Sequence, residues 1–368
     1  MRADQFAESA IGFAVISLIC ATAVLAQPGN DTSVVKADFA NKGFRFHPAK
    51  GLGKVEGITR RDPSDVIGVG DTYFVWYTHV DQTRLPAHLK RLRASGYVGT
   101  IWYAVSKDEG HSWVERGEAL GTGPAGAFDS FAVFTPNIVK FDGRYWLYYT
   151  GVKPTPGKTI FENNSTNDFT AIGIAVADSP NGPFRRVSDE PILSPSPRSV
   201  DPAKSSPFDS YRVDDAALLV RDYDGDGDMD IWLYYKGRNI DYGRSGPGKT
   251  RMGLTVADRP QGPYARVNSG RPILSDSHEV MIWPHRAGVA AYASASRTLE
   301  FAPDGVDFTT NPIHAQTLPR PIAPGCFRAD LTKPVPFGRG ITWGICMKEP
   351  SGPSPYLLRY EIDLTLAD

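Results

Sequence analysis

"IGIAVADSPNGPFRRVSDEPIL" at residues 172–193 and "MGLTVADRPQGPYARVNSGRPIL" at residues 252–274 are two copies of one unit. Each opens on alternating small and branched apolar residues, passes a Gly-Pro turn, and ends on Pro-Ile-Leu. Alternation with a period of two predicts a strand, and Gly-Pro marks the hairpin or loop that follows it. A looser copy starts at Ile101, "IWYAVSKDEGHSWVERGEAL", where Ser106, Asp108, Gly110 and Trp113 make the pattern of an Asp-box hairpin turn. Weaker copies contain "GVAAYASASRTLEFAPDGVDF" from Gly288 and "GITWGICMKEPSGPSPYLLRYEIDL" from Gly340.

A second repeated run stands upstream of the three clearer copies. It reads "DTYFVWYTHV" from Asp71, "DGRYWLYYTG" from Asp142 and "DIWLYYKG" from Asp230. Aromatic and aliphatic residues alternate in each, the period of a half-buried strand. The whole unit recurs roughly every seventy residues with four strand-like runs, and radial repetition of four-stranded sheets makes a β-propeller. The predicted fold is all-β, a five-bladed β-propeller with a short irregular or helical N-terminal extension. The domain boundaries follow: a signal peptide at 1–26, the extension at 27–56, and the propeller catalytic domain at 57–368.

Composition agrees. The chain has 368 residues, 41% of them hydrophobic, enough for a core. Its 36 glycines and 30 prolines favour short strands and tight turns. The 40 basic and 41 acidic residues nearly cancel, so no basic excess points to nucleic acid or to a membrane surface. The apolar run "IGFAVISLICATAVLA" at 11–26 is short for a membrane span and ends on Val24-Leu25-Ala26, small enough for cleavage. It predicts export to the periplasm or the medium, with no membrane contact once the segment is removed. Cys326 and Cys346 then remain, either as one disulfide or as two core thiols.

A propeller brings the start of each innermost strand to one end of a central channel. The expected starts are Arg61-Asp62-Pro63-Ser64-Asp65, Phe134-Thr135-Pro136-Asn137, Val213-Asp214-Asp215, Ser277-His278-Glu279 and Cys326-Phe327-Arg328-Ala329-Asp330. Acids are costly to bury without purpose or partners. Several in one pocket push each other's pKa values apart, which separates a general acid from a general base. That is the requirement of glycoside hydrolysis. The substrate would be an oligosaccharide, contacted by Arg61, Thr135 and Arg328 and stacked on Trp102 or Trp283.

"RRDPSDVIGVGDTYFVWYT", "YRVDDAALLV…WLYYKG" and "HEVMIWPH" resemble glycoside hydrolase family 117, five-bladed relatives of family 43. The resemblance covers most of the chain after about Gly57. It implies an exo-acting α-1,3-neoagarooligosaccharide hydrolase that releases 3,6-anhydro-L-galactose with inversion. It also implies an aspartate base in blade one, Asp62 or Asp65, and an aspartate pKa modulator in blade three, Asp215 or Asp214. The acid would come from the blade-four pair, Glu279 or His278. A family 43-like enzyme on another glycan, or a non-catalytic carbohydrate-binding propeller, is the alternative. Family 117 members swap an N-terminal helical segment between the subunits of a dimer. A homodimer is therefore expected from the resemblance, although the segment from Asn30 has no clean copy of the swap motif. A histidine near the axis holds a cation or ordered water in related propellers, and His285 is the candidate.

Asp222, Asp224, Asp226, Asp228 and Asp230 alternate with glycine, tyrosine and methionine in a stretch of the form DxDGDGxxD. Carboxylates at alternating positions can surround one hard cation, and glycine permits the sharp backbone path. The expectation is a structural Ca2+ on an extended hairpin, away from the chemistry.

Overall fold

Bulky and branched side chains suit a strand packed between two sheets, and each of the three aromatic runs forms the long second strand of a blade. The structure, a computed structural model, describes residues 32–154, 169–242, 249–274, 278–308, 313–315, 320–348 and 353–366. The expected export segment lies outside these residues. Among them no helix is long and apolar enough to cross a membrane.

Helix α1 (Thr32–Phe39) leads into β1 (Arg45–Pro48). In blade one, β2 (Ile58–Arg61) and β3 (Ile67–Val69) share the inner edge and pair with β4 (Thr72–Asp81), followed by β5 (Thr100–Ser106) and β6 (Val114–Leu120). Blade two is β7 (Ala132–Phe141), β8 (Arg144–Lys153), β9 (Phe169–Ala177) and β10 (Arg185–Arg186). Blade three is β11 (Arg212–Arg221), β12 (Asp230–Arg238), β13 (Arg251–Ala257) and β14 (Ala265–Arg266). Blade four is β15 (Val280–Arg286), β16 (Gly288–Ala293), β17 (Thr298–Ala302) and β18 (Ile313–His314). Blade five starts with β19 (Ile322–Cys326). The chain then crosses through β20 (Gly338–Arg339), which pairs with β15, and returns as β21 (Trp343–Met347) and β22 (Leu357–Glu361). The expected five-bladed propeller is the observed fold.

The ring closes on its own beginning. β1 is the outermost strand of blade five, with Arg45 opposite Glu361 and Pro48 opposite Leu358. The extension expected to precede the propeller therefore supplies one of its strands. Four residues with no apolar alternation carry no strand signal; the pairing comes from the edge that β22 offers.

The aromatic strands are buried on both faces, not one. β8 is buried from Tyr145 through Val152, and Tyr148, Tyr149, Tyr234 and Tyr235 are almost fully enclosed. Each blade is sandwiched between two others, so its outward face is a neighbour's inward face. A buried aromatic ring removes roughly 150–250 Å² from water, on the order of 4–6 kcal/mol before entropy is subtracted.

Blades two and three carry the same internal brace. The Asp129 carboxylate accepts hydrogen bonds from the Tyr149 hydroxyl (3.0 Å) and Arg186 Nε (2.6 Å). Asp209 accepts from Tyr235 (3.0 Å) and Arg266 Nε (2.8 Å). The preceding phenylalanines need space: a Cβ at Gly173 would lie 2.4 Å from the Phe128 ring, and one at Gly253 would lie 2.5 Å from Phe208.

The five inner strands are tied at the axis. Arg328 is 1% exposed. Its guanidinium donates to the carbonyl of Ile282 in blade four, to that of Leu218 in blade three (3.2 Å), and to Asp330 (2.7 Å). It also lies 3.6 Å from Asp65 of blade one. Asp65 accepts in turn from the Cys326 amide (2.9 Å) and from Asn137 Nδ2 (3.3 Å) of blade two. Cys326 and Cys346 are both buried free thiols.

Candidate active site

At one end of the axis the inner strands break step together. Asp62, Thr135, Asp215, Glu279 and Ala323 all have left-handed backbone, with φ of 49°, 46°, 53°, 55° and 44°. The ladder register shifts around Thr135, Asp215 and Ala323, the signature of a β-bulge. In blade one the inner strand is interrupted between Arg61 and Ile67, and in blade four Glu279 stands just before Val280. A non-glycine residue held left-handed costs on the order of 1–3 kcal/mol. The reward is orientation: each bulge aims one side chain into a shared pocket. That pocket is lined by Asp62 and Asp65, Thr135 to Asn137, Asp215 to Ala217, Glu279 to Ile282, and Ala323 to Gly325.

Four of the six expected catalytic residues therefore line one cavity: Asp62, Asp65, Asp215 and Glu279. Asp214 and His278, each next in sequence to one of these four, do not line it. Asp214 is buried with its carboxylate 3.5 Å from Lys236 Nζ, and Asp215 contacts the same ammonium. His278 Nε2 lies 3.3 Å from Glu279 Oε1, and His278 Nδ1 lies 3.4 Å from Thr250 Oγ1. The other Glu279 oxygen accepts from the Ala323 amide at 3.0 Å. Asp62 accepts from Arg61 Nε at 2.7 Å, and the same guanidinium reaches the Ala94 carbonyl at 2.8 Å.

Burial and charge separate these acids. Burial pushes the Asp62 carboxyl up; Arg61 opposes this, while Glu279 and Asp215 add to it. Burial also raises Asp65 despite Arg328, and Asp214 despite Lys236. Glu279 goes the other way. Burial alone would raise it, but His278, then Lys236 and Arg61, hold it down to about 2. Lys236 would be lowered by burial, yet Asp214 and Asp215 outweigh this and fix its positive charge.

Other expected contacts stand elsewhere. Trp283 is wholly enclosed, and Trp102 stacks on His79 with ring centroids 3.9 Å apart, so neither lines the pocket. Arg328 belongs to the axial tie, buried and outside the pocket lining. His285 does not line the channel mouth; its Nε2 lies 2.7 Å from Asp38 of α1, which also takes both arms of Arg286. Blade five presents Ala323-Pro324-Gly325 where Cys326 to Asp330 were expected. The shared X-Pro of Asp62-Pro63, Thr135-Pro136 and Ala323-Pro324 was the available signal. Lys236 was also missed, although it ends the repeated aromatic run.

In the acidic hairpin, carboxylate oxygens of Asp222, Asp224 and Asp226 lie within 4.8 Å of one another. Gly225 and Gly227 take the left-handed path that the turn needs. Asp230 instead caps the turn by accepting from the Tyr223 amide at 2.8 Å.

A ring of acids at the axial mouth of a five-bladed propeller is the layout of a glycoside hydrolase, and the comparisons agree. The chain is similar to Zg3597, a family 117 glycoside hydrolase produced by the marine bacterium Zobellia galactanivorans. They share 27% identity over 90% of this chain and 93% of that one, with a TM-score of 0.71. It shares its fold with a thermostable family-43 glycoside hydrolase (14% identity, 84% and 90% covered, TM-score 0.52). The same holds for the GH43_1 enzyme from Xanthomonas citri complexed with xylotriose (14% identity, 89% and 93% covered, TM-score 0.52). No protein-family model and no curated protein matches the chain. The protein is a propeller glycoside hydrolase that resembles family 117.

The electrostatics predict an order of protonation. On acidification Asp62 takes up its proton first, and Glu279 stays ionised toward pH 2. Glu279, depressed on folding, thus contributes stability above its unfolded value that is lost only as pH falls toward 2. Carbon-13 NMR titration of the two labelled carboxyls checks this; Glu279 protonating before Asp62 would contradict it.

Proposed function

We propose that the chain is an exo-acting, inverting hydrolase of α-1,3-linked oligosaccharides, removing 3,6-anhydro-L-galactose or a related algal sugar from the non-reducing end. One observation carries this reading: three acids from three blades, each on a left-handed inner-strand residue, face one pocket. The pocket encloses about 50 Å³, space for a few waters. A sugar ring would rest above it with water beneath. Asp62, pushed up by burial but free of the axial tie that occupies Asp65, is the general base for that water. His278, half-buried and paired with the Glu279 that lines the pocket, is the group that can pass a proton to the leaving oxygen, with Glu279 as its fixed anion. Asp215, held by Lys236, sets the field between them. The likeness to a family 117 enzyme supports the hydrolase class, and the sugar and the stereochemistry follow from the resemblance of the sequence motifs to that family.

Asp62→Asn and His278→Gln each lower kcat on neoagarobiose by roughly 10²–10⁴-fold, while Asp65→Asn mainly lowers stability. Proton NMR of the first-formed sugar shows the inverted anomer. An active Asp62→Asn enzyme, or a retained anomer, would overturn the assignment.

We also propose that Asp222, Asp224 and Asp226 hold a Ca2+ that fixes the blade-three hairpin. Hard carboxylate donors on a glycine-rich turn support it. Calcium raises Tm and EDTA lowers it in the parent, and Asp224→Asn abolishes the difference; equal melting with and without calcium would contradict this.

A further inference from the structure

Between β4 and β5 the chain makes an excursion that packs against Asp62, through three 3-10 turns at Gln82–Arg84, Ala87–Leu92 and Gly96–Val98. Its sequence, "QTRLPAHLKRLRASGYVG" at 82–99, holds Arg84, Lys90, Arg91 and Arg93, and no acid occurs from Gln82 to Lys107. All four cations are exposed. Arg84 pairs with Asp81 at 3.1 Å. Among the described residues, Lys90, Arg91 and Arg93 form no ion pair with a carboxylate. In a chain whose charges nearly balance, a solvated face would carry both signs.

The excursion is fastened beside the chemistry. Thr59 Oγ1 donates to the Arg93 carbonyl (2.8 Å), and Arg61, the partner of Asp62, donates to the Ala94 carbonyl (2.8 Å). A Cβ on Gly96 would come within 3.3 Å of the Asp62 carboxylate and 2.9 Å of Phe134. The Tyr97 hydroxyl accepts from Arg212 of blade three at 2.7 Å. The loop thus bridges blades one, two and three beside Asp62. Only the terminal sugar of an exo substrate reaches the floor, so the rest of the chain leaves over the rim. A one-signed field at a cleft mouth concentrates ligands of the other sign.

We propose that the substrate is an anionic glycan, an oligosaccharide bearing sulfate esters or carboxylates on the sugars next to the cleaved one, which lie across Lys90, Arg91 and Arg93. The direction of the chain rests on the exo-hydrolase reading above. Guanidinium groups pair bidentately with either anion, so the loop chemistry is the same for both.

Titration calorimetry of the full chain tests this at low and high NaCl. The probes are porphyran oligosaccharides before and after desulfation, and oligogalacturonides before and after carboxyl reduction. The charged member of at least one pair binds on the order of tenfold tighter than its neutral partner, with the advantage shrinking as salt rises. The pair that shows it tells sulfate from carboxylate. The exposed triple variant Lys90→Ser, Arg91→Ser, Arg93→Ser reduces the charged-to-neutral ratio by a similar factor. Neutral partners binding as well as charged ones, no binding of any probe, or an unchanged ratio in the variant would overturn the proposal. Hydrolysis of the desulfated oligosaccharide without charge preference would leave the hydrolase reading standing and end this one. Salt-sensitive binding of a charged probe with no sugar released from any would do the reverse.

Discussion

A buried guanidinium governs this molecule. Arg328 sits at the axis with its charge out of water, a position tolerable only because two carbonyls and two carboxylates surround it. Those partners come from different blades, so the condition that satisfies Arg328 also fixes how the inner strands stand relative to one another. Asp65 completes the tie by linking blades one, two and five. Losing one member of such a set strands a buried charge, typically at about 3–5 kcal/mol. The ring is also closed at its rim, where β1 completes blade five.

Above that tie the same strands carry their bulges, and the chemistry follows from the tie. Left-handed residues recur at one level in all five blades. Three are acids; Thr135 and Ala323 are the uncharged members. The acids share the surroundings of Arg61, Lys236 and His278 but not the same balance. Asp62 has one guanidinium and two anions near it, and burial prevails. Glu279 has an imidazole, an ammonium and a guanidinium, and they prevail. Two carboxylates in one cavity are thereby given different affinities for a proton, which acid–base catalysis requires.

Much of this was legible in the sequence because repetition carries it. The paired hairpin units, the aromatic strands and the acids of blades one, three and four are all visible as recurring sequence. Burial on both faces is not, since alternation describes one strand and the second face belongs to a neighbouring blade. The same limit explains the misplaced contacts. Trp102, Trp283 and Arg328 have side chains that could bind a sugar, but residue type does not state exposure. His285 answers to Asp38, some 247 residues away in sequence. Ala323 was invisible because it has no reactive group, and β1 because four residues make no pattern.

On the proposed reading Asp62, Asp215 and the His278–Glu279 pair, set on the strands that the axial tie fixes, surround one sugar ring. A crystal structure of the Asp62→Asn variant soaked with its oligosaccharide tests it most directly. The terminal ring is expected at the axial mouth, with water between it and residue 62 and the glycosidic oxygen toward His278. A sugar bound on a blade flank, with the mouth empty, would contradict it.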